Sequence, residues 1–149
     1  MPTQTTTDHA DGFSAEERAA MKERAAELRS AGRTGAKKAD GLQAVLDRIA
    51  GMSPPDRMLA ERVHMTVTTA APSLVPKTWY GMPAYANDAG RVVVYFQDAE
   101  KFKSRYSTVG FNDDATLDEG DMWATSFAIT AWNATVEARL RELARAATA

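Results

Sequence analysis

The sequence predicts an α+β domain in which an antiparallel sheet of about four strands is flanked by helices, with an extra helix at the N-terminal end. Two observations carry this prediction. Apolar residues recur with helical spacing in the first half of the chain and at its end, and short apolar runs bounded by turn residues fill the region between. The length of 149 residues suits one domain with an extension.

Composition and charge narrow the class of protein. Hydrophobic residues at 44% and charged residues at 26% are ordinary for a soluble globular protein. The formal charge of -2 gives no general attraction to phosphate backbones, so we do not expect a nucleic-acid partner. The chain contains no cysteine, which excludes disulfides and thiolate ligands. Because it has neither a long apolar run nor a signal peptide, we expect a cytoplasmic protein without a membrane partner.

Start and stop signals place the first helix. Residues 1–12 are predicted to be disordered, since they are rich in Thr and Asp and offer little to bury. Ser14 and Glu17 form a capping box, which predicts a peripheral helix ending near Ala31. Residues 32–41 contain three glycines and are predicted to form a flexible connection.

Three more helices follow from the apolar pattern and the caps. One has an apolar face from Leu42 to Ile49 and is expected to end at Gly51 in a left-handed cap. The next begins at Ser53 and stops by Pro72, and the last is capped near Asn133. The predicted organisation is a disordered start (1–12), an N-terminal helical extension and linker (13–39), and a folded domain (40–149).

The strands lie between residues 77 and 129. The segments "TWY" and "AYA" flank residues 81–83, which predicts either an edge strand with a bulge or two short segments. Residues 91–97, "RVVVYFQ", are apolar on both faces and predict a central strand covered on both sides. Residues 104–111 and 124–129 are the predicted third and fourth strands.

One candidate site combines aromatic and basic side chains. The aromatic segment could form one wall of a groove, and a strand at residues 101–105 would put its basic side chains on one face as a ladder. Such a groove suits a small anionic or aromatic ligand. The alternative is a buried corner of the core beside an exposed, charged strand. The candidate ligand-binding residues are Trp79, Tyr80, Met82, Tyr85, Lys101, Lys103 and Arg105.

A second candidate site is an acidic loop. Carboxylate oxygens suit hard cations, but the loop lacks the spacing of an EF-hand, so a metal site here would be irregular and weak. The alternative is a solvated turn in which aspartates bond to the local backbone. The candidate metal ligands are Asp113, Asp114, Asp118, Glu119 and Asp121.

The sequence offers little for catalysis. His64 lies with Arg57, Glu61 and Thr68 on a polar helical stripe, which predicts a surface histidine. No nucleophile elbow, Walker loop or dinucleotide fingerprint is present, and this argues against an enzyme.

The chain resembles the YdhG-like domains of unknown function over about residues 40–146. The resemblance rests on "TWYGMPAYAN", with Tyr80-Gly81-Met82-Pro83 as its most specific part, and on a following strand that ends in Tyr95-Phe96. It implies an antiparallel sheet flanked by helices and a likeness to frataxin, some members being described as frataxin-like iron chaperones. In frataxins the acidic residues lie on the first helix and the adjacent strand, whereas here they lie in a late loop.

Three functional hypotheses follow. The first is a cytoplasmic binding or accessory protein that holds iron weakly at the acidic loop, which the family resemblance suggests. The second is a small-ligand-binding domain that uses the aromatic segment and the basic ladder. The third is a protein-interaction module in which the N-terminal helix docks a protein partner.

Overall fold

A computed structural model describes residues 12–149. Within them the chain forms four helices and one antiparallel sheet of five strands, which confirms the α+β class with helices beside the sheet and adds one strand to the predicted number. The helices are α1 (Ala15–Ser30), α2 (Arg33–Ala50), α3 (Pro54–Ala70) and α4 (Ala134–Ala147). The strands are β1 (Val75–Trp79), β2 (Met82–Ala86), β3 (Val92–Gln97), β4 (Ser107–Phe111) and β5 (Ser126–Ile129).

The N-terminal end of the chain is described only in part. The predicted disorder of residues 1–11 lies outside the described residues. Gly12 is described, and it is buried in a backbone conformation with φ of 116° that a side chain disfavours. Over the described part of the chain, no helix combines the length and the apolar character needed to cross a membrane.

Capping at α1 and α4 follows the sequence prediction. The Ser14 hydroxyl accepts from Glu17 N at 3.1 Å, and the Glu17 carboxylate accepts from Ser14 N at 2.9 Å. At the start of α4, the Asn133 side chain accepts from Val136 N at 2.9 Å. These bonds satisfy backbone donors that a helix start otherwise leaves without partners, so the caps define where both helices begin.

The predicted flexible connection at residues 32–41 is wrong, because α2 begins at Arg33. Its glycines serve close packing. A Cβ atom on Gly35 would collide with the backbone of Leu28 in α1, and one on Gly41 would lie 2.5 Å from the carbonyl oxygen of Pro76. Two helical glycines therefore let α2 approach α1 on one side and β1 on the other. The predicted domain division at residue 40 stays a prediction, and residue 40 lies inside α2.

The caps between α2 and α3 differ from the prediction. Gly51 has φ of -86° and ψ of -1°, which is right-handed, so the predicted left-handed cap is wrong. The last turn of α2 closes instead through the Gly51 N–H, which donates to carbonyls of that turn, including that of Asp47. Helix α3 begins where predicted, but the Ser53 side chain makes no capping hydrogen bond.

The segment around Gly81 is a tight hairpin. Trp79 pairs with Met82, and the two residues between them, Tyr80 and Gly81, have φ of 52° and 75°. Positive φ at both central positions is the signature of a type I′ turn, whose twist matches that of paired strands. The predicted two short segments are thus β1 and β2, and Pro83 lies within β2 opposite Thr78.

The sheet has the order β1-β2-β3-β4-β5, so β3 is central as predicted. Tyr85 pairs with Val94, and Val94 pairs with Phe111, which puts these side chains on the face that we term the helix face. On the opposite face, termed the Trp79 face, Ala84, Tyr95 and Gly110 stand side by side. Burial of β3 is uneven, because Phe96 is buried whereas Tyr95 and Gln97 are half-buried.

The core lies between the helix face of the sheet and the helices. It contains Val45 and Ile49 of α2, Val63 and Val67 of α3, Leu140 of α4, and the strand residues Tyr85, Val94, Phe96 and Phe111. All of these are less than a tenth exposed, so the core is the main source of stability. Helix α1 lies outside it, because none of its residues is fully buried.

Candidate ligand-binding site

The structure divides the predicted aromatic groove between two surfaces. Trp79 is half-buried and its ring lies 5.4 Å from that of Tyr95 and 5.0 Å from that of Tyr80, which is 79% exposed at the hairpin turn. Met82 is buried, and Tyr85 is fully buried on the helix face. Trp79 pairs with Met82 and shares its face of the sheet, whereas Tyr85 points to the opposite face, so these four side chains do not line one groove.

The predicted basic ladder is wrong, because Lys101, Lys103 and Arg105 precede β4. Residues 99–104 form turns, with Ser104 N donating to the Ala99 carbonyl at 2.9 Å, and Lys103 has φ of 54°. A positive φ is incompatible with an extended strand. The Lys101 ammonium lies close to Gly81 of the hairpin.

The acidic residues lie in the segment between β4 and β5. Asp114 accepts from Asn87 Nδ2 at 2.7 Å and pairs with Arg91 at 3.4 Å, whereas Asp118, Glu119 and Asp121 are exposed. Asp113 and Asp114 also line a shallow cavity of about 340 Å³ beside Trp79. Among residues 12–149, no group of three or more His, Asp or Glu side chains is placed to hold a metal ion. The iron hypothesis stays a prediction without a ligand set in this part of the chain.

A different cavity lies on the helix side of the molecule. It has a volume of about 570 Å³. It is bounded by α1, α2 and α3, by residues 72–76 at the start of the first hairpin, and by Asp88 in the loop after β2. We term it the α1 cleft. Its apolar lining includes Met21, Leu28, Leu42, Met65 and Leu74, and its charged lining consists of Arg24, Lys38 and Asp88.

His64 lines the α1 cleft, although the sequence predicted it on the surface. It is 1% exposed, and its Nδ1 atom lies 2.8 Å from the Tyr85 hydroxyl oxygen. The prediction failed because the polar stripe of α3 is covered by other elements: the Phe13 ring meets His64 edge-on at 6.0 Å, and Glu61 is also buried. Periodicity within one helix does not reveal which neighbour covers it.

Burial keeps the His64–Tyr85 pair neutral. It lowers the pKa of the His64 imidazole to about 4, because the charged form loses its solvation. Burial also raises the pKa of the Tyr85 hydroxyl far above its ordinary value. At neutral pH the pair therefore supplies a neutral imidazole braced by a phenol, which suits hydrogen bonding to a ligand more than proton transfer.

A set of polar contacts, which we term the α1 latch, fixes the start of α1 on α3. Phe13 N donates to Glu61 Oε1 at 3.2 Å, and the Glu17 carboxylate forms a salt bridge with Arg62. The Arg62 side chain is 4% exposed and that of Glu17 is 17% exposed. Both partners are largely out of water, so the salt bridge joins α1 to α3 in a partly desolvated site. The latch holds α1 in place as one wall of the cleft.

Comparison with family models, curated proteins and solved structures found no match for this chain. The resemblance to YdhG-like domains therefore stays a prediction. The cleft is described by geometry alone, and sequence reasoning missed it. The available sequence signal was the apolar stripe of Met21, Ala25 and Leu28 on α1, which indicates that α1 covers something apolar without showing what.

Proposed function

We propose that this protein is a cytoplasmic accessory protein that binds a small molecule in the α1 cleft. The observation that carries the proposal is a concave cavity of about 570 Å³ that has a mixed apolar and polar lining and contains a neutral, buried histidine. Binding sites for small molecules have this size and this combination of an apolar lining with a few fixed polar groups.

The polar groups have the properties of a recognition site. The hydrogen bond to Tyr85 holds the His64 ring in one orientation. Ligand binding therefore loses little side-chain entropy at this residue. Thr68 also lines the cleft, and its hydroxyl bonds to the His64 carbonyl at 2.7 Å.

The wall formed by α1 gives the ligand a route of entry. Helix α1 contributes four lining residues and has none that is fully buried. Elements with few buried apolar contacts open at low free energy. Because the α1 latch fixes the first turn of α1 on α3, we expect the later turns of α1 to move away from α3 more readily than the core helices separate.

A pair of neighbouring alanines on α1 tests the proposal. Ala19 and Ala20 are both exposed, but only Ala20 lines the cleft. A20W puts a large ring at the cleft, and A19W adds the same ring at the next residue along the helix as the matched control. The test is a fragment library screened by saturation-transfer NMR against wild type and both variants.

We expect fragments that bind wild type and A19W and lose most of their signal with A20W. Amide spectra of the three proteins check that each variant keeps the fold. A library with no binders, or binders indifferent to A20W, would contradict the proposal. The hypotheses of a ligand at the Trp79 face and of a protein partner at α1 stay predictions.

A further inference from the structure

The charges in the α1 cleft are unbalanced. Arg24 and Lys38 are its cations and Asp88 is its one lining carboxylate, so the described lining carries a formal charge of +1 with His64 neutral. The whole chain has the opposite sign, with a formal charge of -2. A positive cleft in an acidic protein is a local feature and does not follow from the average composition.

The two cations are available to a ligand. Arg24 pairs only at 3.7 Å with Glu27 of its own helix, and both side chains are more than half exposed, so this contact is weak. Lys38 is half-buried on α2. Its stem can pack along the apolar wall while its ammonium faces the cavity or the solvent at its mouth. Neither cation is thus committed to a buried partner among the described residues.

The cations come from two different helices. Arg24 lies on α1 and Lys38 on α2, and an Arg29–Asp40 pair at 3.1 Å ties the same two helices together nearby. The apolar side chains Met65 and Leu74 come from α3 and the chain before β1. Both cations of the cleft therefore lie on the side formed by α1 and α2, whereas apolar side chains line the cleft on all three helices.

We propose that the α1 cleft takes a small molecule with an apolar, ring-sized body and one anionic group, such as a carboxylate. The anionic group lies between Arg24 and Lys38, and the body packs on Met21, Met65 and Leu74. This inference rests on the proposed function and specifies its ligand class. A single negative charge matches the lining, because Asp88 opposes a second one.

The test compares naphthoate with its neutral amide, naphthamide, as the same ring isomer. Binding of each to the full chain is measured by titration calorimetry at neutral pH. A charge-assisted contact contributes more than a neutral one, so we expect naphthoate to bind about tenfold more tightly than naphthamide. High salt should reduce this preference, because exposed charges are screened.

Charge variants assign the preference to residues. R24Q and K38Q should each reduce naphthoate affinity several-fold and leave naphthamide affinity unchanged. K37Q is the matched control, because Lys37 is an exposed neighbour that does not line the cleft. D88N should strengthen naphthoate binding, since it removes the one opposing charge.

The outcomes separate this inference from the proposed function. Equal affinities for naphthoate and naphthamide, both lost in A20W, would overturn the anionic ligand class and leave the α1 cleft as the binding site. A preference for naphthoate that persists in R24Q and K38Q would also overturn it. Failure of both probes at millimolar concentration, while neutral fragments bind and are blocked by A20W, would count against the charge assignment alone.

Discussion

The two faces of the sheet use their aromatic side chains differently. On the helix face, Tyr85 is fully buried and its hydroxyl meets His64 at 2.8 Å. On the Trp79 face, the rings of Trp79 and Tyr95 lie 5.4 Å apart and both are half-buried. Both sets come from β1 to β3, so alternation along the strands decides which aromatic becomes core and which becomes surface. The aromatic-rich sequence around Gly81 is therefore a hairpin that contributes aromatic side chains to both faces of the sheet.

The largest expected difference between the two sides is the cost of removing a tyrosine. Y85A removes a fully buried ring, leaves a cavity and takes the hydroxyl from His64, so we expect a loss of about 3–5 kcal/mol in the free energy of unfolding. Y80A, in the same hairpin but 79% exposed, should cost less than about 0.5 kcal/mol. Urea denaturation of both variants measures this, and similar losses would contradict the assignment of the faces.

The pH dependence of stability tests the neutral state of His64. Below pH 6.5 the unfolded chain takes up a proton at this residue, whereas the folded chain stays neutral down to a pKa of about 4. Stability therefore falls as the pH falls through this window and the loss levels off below it, amounting to about 3 kcal/mol. H64Q lacks this titration and supplies the reference curve. If the difference between wild type and H64Q stayed constant from pH 7 to pH 4.5, the buried neutral histidine would be disproved.

Gly110 tests the packing of the Trp79 face. A Cβ atom at this position would collide with the Tyr95 ring that stands over it. Because that ring is half-buried and able to shift, we expect G110A to cost about 1–3 kcal/mol. The same change in a Y95A background should be nearly neutral, and denaturation of the four proteins as a double-mutant cycle measures the coupling. Additive losses would show that the ring does not rest on Gly110.

The smallest predicted effect concerns the start of α1. Ser14 accepts a capping hydrogen bond at 3.1 Å, so S14A should cost about 1 kcal/mol and weaken ligand binding in the α1 cleft. S53A is the control, because Ser53 precedes α3 without making such a bond. Thermal unfolding and fragment binding read out the two effects. A larger loss in S53A than in S14A would contradict the account of the cap.

Local signals made much of the fold predictable. The capping box at Ser14 and the cap at Asn133 were visible because both rely on residues within one helical turn. Strand β3 was predictable because a short run of apolar residues bounded by turn residues is typical of a buried strand. The start of α2 was not, since Gly35 and Gly41 predict flexibility locally and are explained only by the neighbours that α2 approaches.

The candidate site was less predictable because it depends on contacts between distant elements. His64 reads as a surface residue within α3, and only the packing of Phe13 and Tyr85 around it makes it a buried, neutral group. Tyr80 has the positive φ of a type I′ turn. The sequence did not indicate this turn, because the typical pair at its centre is Asn-Gly and this chain has Tyr-Gly. Arg24 and Lys38 both line the cleft although they lie on different helices, and their spacing in the sequence does not indicate this.

The methionine methyl groups test the central claim most directly. Met21 and Met65 line the α1 cleft, Met82 is buried in the first hairpin opposite Trp79, and Met122 is 89% exposed in the acidic segment. The measurement is a methyl spectrum of methionine-labelled protein, titrated with a fragment that binds wild type and A19W. The account predicts shifts at Met21 and Met65 with Met82 and Met122 unchanged. Shifts at Met82 or Met122 with Met21 and Met65 unchanged would place the ligand elsewhere and contradict the account.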